Sequence, residues 1–371
     1  MSSNWKKKTV LLYSFILLCI VSSMLFVQNN FELYDKPIAE ITEAILTDEK
    51  DTTDSFDNQD QMFQQNLIGE IKNGSQKGQR ILLENQYTSS GATSQEYEAG
   101  DDVFVTIQSD EGSNLKGSIE GLKRDIYIVV AAWLFVLTVL LIGKKSGLFS
   151  MISLIINVLV LMGAMNYYTS LEDVNLLLIC SGLVFFFTVV SLLVVSGNNE
   201  KTHAAIIATL VGTFSSVLIA YAVIALTAGQ GLRYEEMAFI TRNPQSVFLA
   251  SILVGSLGAV MDIAITISSS LYELNDKNNQ ISLQALKTSG REIGKDIMGT
   301  MANVLFFAYV SGSIPMILLY LKNGMAINYT LTMNLSLELT RALVGSIGIV
   351  LTIPISIYTA IYFIRKRRLV E

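Results

Sequence analysis

Seven apolar runs, at about residues 125–142, 147–167, 174–196, 203–228, 246–270, 297–321 and 337–364, fill the last two thirds of this chain. At 1.5 Å rise per residue each is near or above the ~20 residues that a ~30 Å hydrocarbon core requires. Backbone polar groups in lipid must be satisfied within the chain, which restricts such runs to helices. An eighth run, residues 9–27, follows Lys6-Lys7-Lys8. It is long for a signal peptide and no A-x-A site follows it, so it reads as an uncleaved anchor with the amino terminus inside. The expectation is an all-α polytopic membrane protein of about eight transmembrane helices, with a small β-rich extracytoplasmic domain between helices 1 and 2.

Charge supports that division. Residues 28–122 hold 19 Asp and Glu against 6 Lys and Arg, a local net of −13; the whole chain is −6, so the remainder carries +7. An acidic segment beside a basic remainder matches two faces of a membrane. The expected domains are an anchor over 1–27, an acidic outer domain over 28–122, and a seven-helix membrane domain over 123–371 with a cytoplasmic amphipathic segment at 271–296. Lys144, Lys145, Lys201, Lys277, Lys287, Arg291, Lys295 and Arg365 to Arg368 then fall on the cytoplasmic side, as do both termini.

In the outer segment, residues 69–74, 80–85 and 102–107 are short β-prone runs separated by turn residues. Asp48 to Asp60 is acid-rich but lacks the spacing that wraps a calcium ion, and reads as a solvated loop. With one histidine, His203, and two cysteines, Cys19 and Cys180, both in apolar runs, no metal ligands and no cofactor are expected. The basic residues form no patch with interleaved aromatics, so nucleic acid is not an expected partner.

The polar residues inside apolar runs carry the functional expectation, because an ionised carboxylate in hydrocarbon costs several kcal/mol. Asp262 lies eight residues before the end of the 246–270 run, ~12 Å deep, on a face with Ser251, Gly255, Gly258, Thr266 and Ser269. Asp296, Thr300 and Asn303 share a face at the start of the 297–321 run, and Asn303 comes to a depth similar to that of Asp262. The depths predict a shared polar layer of Asp262, Thr266, Thr300 and Asn303, with Asp296 at its cytoplasmic mouth. Gly312, Pro315 and Pro354 are expected helix breaks, since proline removes a helix hydrogen bond. Glu338 and Arg341, three apart, predict an ion pair at the outer interface. Ala204, Ala208, Gly212, Ser216 and Ala220 form a small-residue stripe that predicts close helix packing.

The blocks Met261-Asp262-Ile-Ala-Ile-Thr-Ile, Ser289-Gly290, Ile293-Gly294-x-Asp296-Ile-Met-Gly299-Thr300, Ala308-Tyr-Val-Ser-Gly-Ser-Ile-Pro315, Glu338-Leu-x-Arg341 and Gly345-Ser-Ile-Gly348 resemble the YibE/F family. The resemblance covers roughly residues 125–364, and the anchor and outer domain are similar to its longer, YibE-like branch. It implies a multi-pass protein of the bacterial cell membrane and supplies no activity.

The leading expectation is a transporter or permease component moving a small solute or ion past Asp262. The alternative is an envelope scaffold or signalling accessory whose outer domain binds an extracellular or wall partner. A hydrolase using Asp262 and Asp296 is disfavoured, because Asp296 lies near the interface, so no enzyme is expected. The expected partners are the lipid bilayer, a homologous membrane subunit or second copy of the chain, and the solute or ion itself.

Overall fold

A computed structural model describes residues 2–91, 94–111, 114–171, 174–237 and 242–370. The chain forms two compact units, Met1–Leu141 and Ile142–Glu371.

The first unit contains helix α1 (Ser2–Gln28) and five strands: β1 (Ile38–Thr53), β2 (Gln59–Ile71), β3 (Arg80–Thr88), β4 (Asp102–Glu111) and β5 (Asn114–Leu122). The strands close in the order β1-β2-β3-β5-β4, with β3 and β5 parallel and the other neighbours antiparallel. That is the Greek-key order of an OB-type barrel. Alternation drives it: Ile81, Leu83, Asn85 and Tyr87 of β3 turn inward, and Ile41, Leu67, Val103, Val105 and Leu115 complete the core. At Gly117 a Cβ would stand 2.6 Å from the Thr106 carbonyl oxygen, so only glycine lets β5 approach β4 there.

Two of the expected β runs fall in β3 and β4; residues 69–74 instead end β2 and enter a turn with Gly74 at φ +76°. Buried Asn73 locks that turn, accepting from the Ile38 N–H at 2.7 Å and donating to the Tyr34 and Lys36 carbonyls, each at 3.0 Å. The acid-rich stretch becomes the tip of the β1–β2 ribbon, where Asp54 accepts from the N–H groups of Phe56 and Asn58. Beside it, hydroxyls of Ser90 and Ser89 donate to Asp60 and hold its carboxyl down at about 2.

Among the described residues six helices are long and apolar enough to cross a membrane: α2 (Asp125–Thr169), α3 (Leu176–Ser196), α4 (Glu200–Leu226), α5 (Pro244–Lys277), α6 (Leu283–Lys322) and α7 (Ile327–Val370). The difference from eight expected crossings has two sources. The first two of the seven runs join into α2, bent where Lys144 takes φ 48° and ψ −122°, and the apolar stretch described in α1 is only Ile16–Gln28.

Asparagines set several starts. Asn175, Asn199 and Asn243 each accept a backbone N–H of the following first turn, and Pro244 takes the first helical position of α5. Helices α5 and α7 form the centre of the second unit. The stripe Ala204, Ala208, Gly212, Ser216, Ala220 of α4 is buried against them: a Cβ on Gly212 would overlap Thr352 Oγ1, and one on Gly348 would meet Ser216 Oγ at 3.1 Å. Small residues are thus what allows α4 and α7 to approach.

Of the amphipathic segment expected at 271–296, the residues up to Lys277 complete α5 and those from Leu283 begin α6. Ser282 caps α6, which then runs unbroken for 40 residues. Gly290 and Gly294 explain this, since each lies flat against Ile357 and Ile353 of α7 and ties the segment into the bundle. The expected breaks at Gly312, Pro315 and Pro354 are corrected in the same way: α6 and α7 remain helical through all three. Pro315 and Pro354 each remove one helix hydrogen bond without ending the helix that holds them.

Candidate functional site

Helix α5 has the largest buried share of the six long helices, packing on α3, α4, α6 and α7. One stripe escapes burial. Gly255, Gly258, Asp262 and Thr266 are exposed, spaced by three or four residues, while Ile263, Ala264, Ile267 and Val260 beside them are enclosed. Asp262 makes no hydrogen bond or ion pair among the described residues. Tyr309 of α6 borders the stripe at Gly255, where a Cβ would overlap its hydroxyl.

The stripe begins at Ser251, and there it meets the expected ion pair. Arg341 of α7 pairs with Glu338 of the same helix and donates from Nε to Ser251 Oγ at 3.2 Å. Its guanidinium also lies 5.5 Å from the Phe248 ring centre, and Tyr234 meets the same ring edge-on. Three contacts thus hold a largely buried arginine at the Pro244 end of α5.

Beside this pair lies a cavity of about 480 Å³ lined by Glu235, Glu236, Ser313, Tyr320, Asn334 and Glu338, among others. The segment carrying the first two is fixed by the Arg233 N–H, which donates to Ser336 Oγ at 3.0 Å. Oε2 of Glu236 is enclosed without a hydrogen-bond partner among the described residues. Burial, and then the negative charge of Glu338, push its carboxyl up to about 7, against the opposing pull of Arg341. No local pattern marks Glu236; only the fold brings it to α7.

The polar faces of α5 and α6 do not meet within the chain. Leu305 of α6 is buried against Ser256 and Gly345. At 100° per residue, Asp296, Thr300 and Asn303 point about 140–180° away from it. All three are exposed, and Thr300 donates only to its own helix, at the Ile297 carbonyl. Asp262 and Asp296 share no hydrogen bond and sit on faces that are not apposed. Among the described residues no group of three or more His, Cys, Asp or Glu is placed to hold a metal ion.

Six long apolar helices, a buried arginine at one end of the central helix, and a small amino-terminal barrel define a polytopic, membrane-type helical protein with an added β domain. Residues 131–366 match the YibE/F-like protein family, and residues 32–122 match the YibE/F family N-terminal domain. The chain belongs to the YibE/F family. No curated protein and no solved structure matches it.

Proposed function

We propose that the protein is a component of a transporter or permease that moves a small solute or ion along the open stripe of α5. The observation that carries this reading is Asp262: a carboxylate without a partner, on the single exposed stripe of the most enclosed helix. A side chain so costly in lipid is favoured where it faces a hydrated path or a bound cation or proton. Ser251 links the head of that stripe to Arg341, beside the Glu236 cavity. In this reading α1, both arms of α2, and α3 to α7 make eight crossings of a bacterial cell membrane, with both termini cytoplasmic and the Glu236 cavity outward. A second copy or a homologous subunit covers the polar faces of α5 and α6.

The test is flux into proteoliposomes under imposed proton, Na⁺ and K⁺ gradients, read with encapsulated ion-sensitive dyes. Wild-type protein carries one of these ions above the protein-free leak, and Asp262→Asn abolishes the flux while inserting and eluting as a folded species. Flux equal in the two proteins removes Asp262 from the path. A variant that fails to accumulate in the membrane assigns it a structural role.

A scaffold reading draws on a different observation. The barrel has its own apolar core, and its β1–β2 ribbon carries exposed acidic side chains on both faces. That favours a basic extracellular or wall partner, detected as a stoichiometric component on purification from native membranes.

A further inference from the structure

The junction of α6 and α7 contains a second cavity, of about 320 Å³, whose two sides differ in chemistry. On α6 stand Lys287, Arg291 and Lys295, each four residues from the next and so on one ridge of the helix. On α7 stand Val350, Pro354 and Tyr358, again four apart and all exposed, with Ile353 and Ile357 forming the floor. The groove exists because Gly290 and Gly294 bring the helix backbones together over Ile357 and Ile353. The two ridges are left standing on either side.

Charge on the α6 ridge is largely uncommitted. Lys295 pairs with Glu292 at 2.9 Å. Lys287 lies 4.7 Å from the centre of the Tyr358 ring, and Arg291 has no hydrogen bond or ion pair among the described residues. Tyr358 is seven residues from Arg365, or ~10 Å along the helix. This sets the groove's upper end near the basic terminus of α7 and its lower end deeper among the apolar residues. Cations along one wall of an apolar trough, with Lys287 and Arg291 at the end nearer the basic terminus, match a molecule with an anionic head and a hydrocarbon tail.

We propose that this groove is a binding site for one anionic phospholipid, its phosphate held by Lys287 and Arg291 and an acyl chain lying along Val350, Pro354 and Ile353. Free phosphate shares the anionic chemistry and lacks the chain. This inference does not depend on transport, and the two are tested separately.

The full chain is purified into zwitterionic phosphatidylcholine nanodiscs and its thermal unfolding is followed as the phosphatidylglycerol fraction is raised. In parallel, inorganic phosphate is added to phosphatidylcholine discs, and native mass spectrometry counts retained lipid. Phosphatidylglycerol raises the melting temperature, phosphate alone does not, and one phosphatidylglycerol survives delipidation. In Lys287→Gln/Arg291→Gln the apparent lipid affinity falls about tenfold or more, while melting in pure phosphatidylcholine is unchanged. Pro354→Ala and Val350→Ser, which keep both charges, weaken retention of the lipid and leave phosphate without effect. The proposal is overturned if the double variant responds to phosphatidylglycerol as wild type does, or if phosphate alone reproduces the shift. A double variant that unfolds in phosphatidylcholine passes the decision to Val350→Ser: unchanged lipid retention there overturns the site.

Discussion

Arg341 of α7 donates to Ser251 of α5 across 3.2 Å, and Ser251 is the first residue of the stripe that carries Asp262. Ser251 and Asp262 are eleven residues apart along α5, ~16 Å, so an arginine held at Ser251 is too far from Asp262 for direct pairing. The arginine therefore organises the head of the stripe and leaves Asp262 uncompensated among the described residues.

Removing the arginine leaves a partly enclosed Glu338 without its partner, beside Glu236. Arg341→Ala is expected to destabilise the protein by roughly 2–4 kcal/mol, because the loss of one member of an enclosed pair strands the other. Thermal unfolding of the purified chain measures this. Arg341→Ala/Glu338→Ala should recover part of the loss, and a double variant weaker than the single would contradict the argument.

The Glu236 cavity makes stability depend on pH. Its carboxyl titrates at about 7 in the folded protein against an ordinary value of 4.5. The folded state therefore binds more protons across that interval, and stability falls as pH rises from 4.5 through about 7. Glu235 from its own segment, Glu338 and Arg341 from α7 and Tyr320 from α6 surround it. Glu236→Gln should flatten the melting curve between pH 5 and pH 8, and coincident wild-type and variant curves would place the titration elsewhere.

Packing of α4 on α7 has no space for a branched side chain at Gly212. Gly212→Val should cost about 1–3 kcal/mol through overpacking against Thr352. Gly258→Ala, on the open stripe of α5 where an added Cβ meets nothing within 4 Å, should be nearly neutral by the same assay.

In the barrel, Asn73→Ala strands the buried Ile38 N–H and two carbonyls, an expected loss of about 1–3 kcal/mol. Limited proteolysis of the intact chain should show new cleavage near the β2–β3 turn, with the membrane helices unaffected.

The sequence displays the apolar cores of the long helices, the Asn243-Pro244 start of α5 and the Glu338–Arg341 pair openly, because each depends on neighbours in the chain. Helix rotation was not legible: Gly290, Gly294 and Leu305 decide which side of α6 turns inward, and that depends on α7. Strand β5 was missed because Gly117 weakens its β pattern, although the fold requires a glycine there. Glu236 was missed because Glu338, the charge that gives it meaning, is about a hundred residues away.

Strand β1 pairs with β4 only at Ile38 to Glu40, and beyond that its outer side has no strand partner among the described residues. Open backbone edges are templates for aggregation. Along this one the chain places Glu43, Asp48, Glu49 and Asp51, exposed beside Ile45 and Leu46. Copies crowded on a surface would bring like charges together at every attempted strand addition, so the ribbon guards against self-stacking while leaving its apolar residues in water.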